Sequence, residues 1–139
     1  PKLRILVTRR WSLVPRGGDE MSGYRDLDVF NNAYELALEV HQITKERFPH
    51  HEQMELGNQL RRASKSIALN IAEGYGKLKL SKKEFVKYLF IAMGSADEVA
   101  VELEFCRDLG YVSEVEYEEL ADKVNKIGRQ LRRLIESQK

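Results

Sequence analysis

The stretch from Ser81 to Gly110 constrains this chain more than any other feature. Phe85, Leu89, Ala92, Ala96, Val99, Leu103 and Cys106 follow one another at alternating spacings of four and three. That is the repeat of one face of an α-helix. Ser81-Lys-Lys-Glu84 has the form of a capping box at its start, and Gly110 is the residue type that ends helices. A helix of this length, apolar along one face, must bury that face against other elements. With no proline after Pro49, the rest of the chain is free to supply them as helices.

Three further stripes have the same period. The first runs Leu27, Phe30, Tyr34, Ala37, His41, Thr44 and Phe48, and Pro49 closes it. The second runs Leu56, Leu60, Ala63, Ile67, Asn70 and Gly74; its expected end is the Gly74-Tyr75-Gly76 breaker, and Gly57 is a weak point near its start. The last opens with a second capping box, Ser113-Glu-Val-Glu116, and turns Tyr117, Leu120, Val124, Ile127, Leu131 and Leu134 inward. Short connections between long helices favour antiparallel neighbours, so the expected fold is all-α, an antiparallel up-down-up-down four-helix bundle. The stripes are wider than one bundle core needs. Leu36, Val40 and Ile43 widen the first, and Val86, Phe90, Met93, Val101 and Phe105 widen the third. Surplus apolar surface of this kind predicts self-association.

Residues 1–20 read as a separate matter, because Leu13-Val14-Pro15-Arg16-Gly17 has the form of a thrombin cleavage sequence in an expression tag. Met21 is the expected native start, and 21–139 the single domain. This division alters the electrostatics. The whole chain holds 23 Lys and Arg against 22 Asp and Glu. The first twenty residues take Lys2, Arg4, Arg9, Arg10 and Arg16 but only Asp19 and Glu20, which leaves 18 basic and 20 acidic residues, net −2. Nucleic-acid binding must then depend on where charges sit and not on their sum. A lone Cys106 gives no disulfide framework, no run of about 18 apolar residues can span a membrane, and a cytoplasmic setting is expected.

Catalytic motifs are absent from the sequence. His41, His50 and His51 have no helical metal-ligand spacing, and no phosphate-binding glycine loop or nucleophile elbow occurs. Neither a metal nor a cofactor is expected. Arg47-Phe-Pro-His50-His51 is a loose candidate for RNA cleavage, and a solvated turn is the plainer reading. Cys106 falls on the inward stripe, as a small buried sulfur. Two constellations stand out. Asn70 occupies a core position with Glu73 nearby and Gln59, Arg61 and Arg62 earlier, a pattern suited to fixing helix register by buried hydrogen bonds. Lys77, Lys79, Lys82 and Lys83 flank a helix start beside Tyr75, a pattern suited to phosphates and a stacked base. Lys123, Lys126, Arg129, Arg132 and Arg133 form another basic run.

The stretch Gln59-Leu-Arg61-Arg62-Ala63-Ser64-Lys65-Ser66-Ile67-Ala-Leu-Asn70-Ile71-Ala72-Glu73-Gly74, with Lys83-Glu84-Phe85, Leu89, Ile91-Ala92-Met93-Gly94-Ser95, Glu98 and Leu109-Gly110-Tyr111, closely resembles the bacterial four-helix bundle proteins encoded by intervening sequences within 23S rRNA genes. The likeness runs from about Tyr24 to Ile135. It implies an antiparallel bundle that assembles as a homopentamer, without established enzymatic activity. Accessory variability determinants of diversity-generating retroelements, which act with a reverse transcriptase and nucleic acid, resemble the family in fold.

The expected function is therefore a non-enzymatic, oligomeric bundle binding nucleic acid, RNA first, through Arg61, Arg62, Lys65, Tyr75, Lys77, Lys79, Lys82 and Lys83, with Asn70, Glu73 and Glu98 as a structural polar core. A ring of copies would multiply a weak site by avidity. Arg61 or Arg62 could instead pair with Glu73 or Glu98 inside the bundle. The alternative is a scaffold or accessory subunit for a protein partner such as a polymerase or a ribosome-associated factor.

Overall fold

The computed structural model describes residues 23–139, so the tag-like segment and Met21 lie outside it. Among the described residues there are only helices: a 3-10 turn Tyr24–Asp26, then α1 Asp28–Arg47, α2 His50–Gln53, α3 Leu56–Lys77, α4 Lys82–Asp108 and α5 Glu114–Ser137. Four are long, and α2 is a single turn after Pro49. The all-α, four-helix expectation holds.

Sequence chemistry sets the ends. The Ser81 hydroxyl accepts from the Glu84 amide at 3.2 Å to open α4. At α5 the box is complete: Ser113 Oγ accepts from the Glu116 amide at 3.1 Å while the Ser113 amide donates to Glu116 Oε1 at 2.9 Å. Gly110, at φ 81°, is the stop that only glycine adopts readily. Its amide donates to Arg107 O, and the Tyr111 amide donates to Cys106 O. This paired closure satisfies the last carbonyls of α4.

The α4 stripe is buried as read, from Phe85 to Cys106. The α3 stripe holds at Leu60, Ala63, Ile67 and Gly74, with Ser64, Ala68 and Ile71 joining it, while Leu56 and Asn70 are only half-buried. Burial pushes the Cys106 thiol up to about 12, so it is an inert core group.

Two expectations need correction. The buried side of α1 carries Val29, Ala33, Leu36, Val40 and Ile43, while His41 is exposed and Ala37 only half-buried. The helix is turned so that its larger aliphatics enter the core, since each buried Leu, Val or Ile contributes about 1.5–3 kcal/mol and an alanine far less. α3 likewise does not stop at Gly74-Tyr75-Gly76 but continues to Lys77. Gly74 is buried, and a Cβ there would sit 2.6 Å from Tyr88 Cβ. The glycine serves close helix packing, not a helix exit.

α1 and α4 each pack on α3 and on α5. Polar contacts fix the register. Asn32 Nδ2 donates to Gln130 at 2.9 Å, Lys123 pairs with Glu39, and Arg47 pairs with Glu116. Between α3 and α4, Ser66 Oγ meets Ser95 Oγ at 2.8 Å.

Candidate nucleic-acid interface

Four lysines gather where α3 hands over to α4. Lys79, Lys82 and Lys83 are exposed and Lys77 is half-buried, because Leu78 is the residue of the turn that packs on the core and the helix start points its first residues to solvent. No carboxylate among the described residues pairs with Lys79, Lys82 or Lys83. Tyr75 is half-buried, its ring edge-on to Phe85 at 6.0 Å. That packing fixes the ring and leaves it little freedom to stack on a base.

The fold adds residues that spacing alone could not join. A cleft of about 220 Å³ between α4 and α5 is lined by Val86, Phe90 and Met93 on one side and by Arg132, Ile135, Glu136 and Lys139 on the other, with Lys139 paired to Glu136 at 3.0 Å. Exposed Lys87 follows on the same helix. The C-terminal basic residues of α5 therefore share an end with the Lys77–Lys83 turn. The acidic run Glu114, Glu116, Glu118 and Glu119 begins α5 and touches the other end of α1 through Arg47. At 1.5 Å per residue, Glu116 stands about 24 Å from Arg132 along the helix. Positive and negative charge are thus separated along the bundle. The antiparallel course expected from the short connections was the sequence signal for this, since it sets the C-terminal end of the last helix beside the start of the one before it.

The arginines of α3 are committed elsewhere. Arg61 Nη1 donates to Thr44 Oγ1 at 2.8 Å and to Gln53 Oε1 at 3.4 Å, and Nη2 donates to the Gln53 carbonyl at 2.6 Å. It joins α1, α2 and α3. Arg62 is exposed and pairs loosely with Glu98 at 3.4 Å. Lys65 is exposed on the same helix, away from the lysine turn by three helical turns. Asn70 is half-buried and donates to Ser66 O at 2.8 Å and Ser66 Oγ at 3.0 Å. It stitches its own helix to the Ser66–Ser95 contact. Glu73 is exposed and accepts a long bond, 3.5 Å, from Tyr88. Asn70, Glu73 and Glu98 therefore do not join in one buried polar core: each is half-buried or exposed and engages a different partner.

Glu102 escaped the sequence reading. Only 7% of it is exposed, and its Oε1 is buried without a hydrogen-bond partner. It sits three residues after Val99 and four before Cys106, and that offset from two inward positions was the available signal. Burial raises its carboxyl to about 7, and Glu98 beside it adds to the shift while Arg62 opposes it. Because the folded value lies above the ordinary one, the stabilising contribution is complete below about pH 4.5 and is lost as pH rises through 7. Replacing Glu102 by Gln is expected to stabilise the fold by about 1–2 kcal/mol at pH 8 and to leave it unchanged at pH 4.5. Thermal unfolding at the two pH values, on dilute protein, measures the difference.

His41, His50 and His51 are all exposed, and Arg47 is occupied by Glu116. Among the described residues no group of three or more His, Cys, Asp or Glu side chains could hold a metal ion, and no helix is long and apolar enough to cross a membrane.

No curated protein matches the chain. A crystal structure of a protein with unknown function from the S23 ribosomal protein family of Bacteroides thetaiotaomicron shares the fold, with a TM-score of 0.70 at 24% identity over 78% of this chain and 95% of that one. The family described as 23S rRNA-intervening sequence protein matches residues 25–133. With the match covering α1, α3 and α4 whole and most of α5, the chain belongs to the 23S rRNA-intervening sequence protein family.

Proposed function

We propose that this protein is a non-enzymatic, self-associating bundle of the cytoplasm that binds RNA through one basic end. The observation that carries the reading is the cluster of exposed lysines at the α3–α4 turn, unpaired and remote from the acidic start of α5. Lys77, Lys79, Lys82 and Lys83 form its centre, with Lys87 and Arg132 at the rim. Lys65 and Arg62 lie about three to four helical turns away along α3 and stand apart from this end, while Arg61 and Tyr75 act through the fold. Such a patch reads phosphates and carries no base code. Ribosomal RNA is the first probe, because the family description and the S23 ribosomal label of the structural neighbour both name that setting.

Self-association is supported by the outward face of α4, where Phe90, Ile91, Val101, Phe105 and Leu109 are exposed at helical spacing. The homopentamer implied by resemblance would give five basic ends on one ring. An up-down-up-down, antiparallel course is supported by the order of contacts: Asn32, Glu39 and Arg47 meet Gln130, Lys123 and Glu116 in descending order.

The test is binding of protein starting at Met21 to a structured 23S rRNA fragment across a salt series. Changing Lys82 and Lys83 together to Glu is expected to weaken binding at least about tenfold and to flatten the salt dependence, each lost phosphate contact lowering the slope by about 0.9. Unchanged affinity and slope overturn the site. The same apolar α4 face favours a second reading, a scaffold for a protein partner. A partner retained after nuclease treatment and insensitive to salt would favour it.

A further inference from the structure

A cleft of about 410 Å³ opens beside α4, lined by Glu52, Leu56, Glu98, Val101, Glu102 and Phe105. Its floor is acidic and its walls are apolar. Glu102 is buried there with an oxygen that no donor reaches, although Arg62 and Tyr111 already serve its neighbours Glu98 and Glu52. Three carboxylates thus share one arginine and one phenol. A cation on an apolar stem would satisfy this arrangement, the stem lying along Val101 and Phe105 and the head on Glu102.

The chain carries such a group at the matching height. The Arg61 bond to Thr44 and the Arg62 pair with Glu98 put Thr44 level with Glu98, so Lys45 and Glu102 lie within about one helical turn of the same height. Lys45 is exposed on α1, and no carboxylate of the described residues engages it. α1 and α4 stand across the bundle from each other. Copies joined head to tail in one orientation along that diagonal bring the outer face of one α1 against the outer face of the next α4, the heterologous arrangement that rings require. We propose that the cleft over Glu102 is half of a binding site, completed by Lys45 from a neighbouring copy of this chain.

This rests on the self-association proposed above, and the experiment separates the two. Association of the protein from Met21 onward is measured at pH 8 by sedimentation for the wild type, E102Q, K45A and the double variant. Each single change is expected to weaken association about tenfold, and the double variant to be no weaker than either, because both remove one interaction. E102Q is also expected to melt no earlier than the wild type, so weaker assembly would not reflect unfolding. A wild type that stays monomeric overturns both proposals. A wild type that assembles while the variants do so equally well, or lose affinity in multiplied steps, overturns the pairing and leaves self-association standing.

Discussion

Arg61→Ala is expected to lower the unfolding free energy by about 3 kcal/mol, and to do so without altering the lysine turn. The guanidinium satisfies the Gln53 carbonyl at 2.6 Å and the Thr44 hydroxyl at 2.8 Å, and Thr44 is fully buried. Hydrogen bonds from a charged donor contribute about 1.5–3 kcal/mol each, and deleting the donor also strands the groups it served. Gln53 lies in α2, the short turn whose side chain donates to Thr44 O at 2.7 Å and Phe48 O at 3.1 Å. Loss of Arg61 therefore loosens both the α2 turn and the α1 end. Urea unfolding measures the change. Arg61→Lys is expected to recover less than half of it, since one ammonium cannot reproduce the fork that spans both oxygens. A full-strength Arg61→Ala variant with weaker RNA binding would return this residue to the interface.

Gly74→Ala is expected to cost about 2–3 kcal/mol, opposite in sign to what helix propensity alone predicts. In an unencumbered helix the exchange would gain about 1 kcal/mol. Here the added methyl would lie 2.6 Å from Tyr88 Cβ and 3.2 Å from Phe85 Cδ1. Tyr88 Cβ is fixed to the α4 backbone, so relief requires α3 and α4 to part, and overpacking of that kind typically costs about 1–3 kcal/mol. Gly76, two residues on, has nothing within 4 Å of an added Cβ. Gly76→Ala is expected to be neutral or stabilising. Chemical denaturation of the pair separates packing from propensity, and a stabilised Gly74→Ala would show that the two helices have room to spare.

The legibility of the fold varied with how many registers each helix offered. On α4, only one face combines Phe85, Leu89, Val99 and Leu103, so spacing sufficed. On α1, Phe30 and Thr44 fit either of two faces, one with Ala37 and His41 and the other with Leu36, Val40 and Ile43. The partner helices decide between them, and a single helix does not encode its partners. Gly74 carried a similar ambiguity: a glycine reads as a stop until a neighbouring helix is known to press on it. In the candidate interface, Lys79, Lys82 and Lys83 stand where a loop-and-cap reading puts them. Adjacent arginines look alike in sequence, so spacing alone groups Arg61 and Arg62 with these lysines. They diverge in space by the 100° step of a helix, one into the Thr44–Gln53 junction and the other toward solvent. Arg132 stands at the same end as the lysines, as an antiparallel last helix implies, and the cleft it shares with Val86 and Phe90 shows how closely.

The separation of charge along the bundle also governs how the molecule travels. With the Lys77–Lys83 turn and Arg132 at one end and Glu114 to Glu119 opening α5 at the other, the particle carries an electric dipole whose two poles stand about a helix length apart. Near a polyanion its field exerts a torque as well as a pull, drawing one pole in while pushing the other away. Tumbling is then biased before any contact forms, and the fraction of collisions that arrive end-on rises without any change in the number of charges.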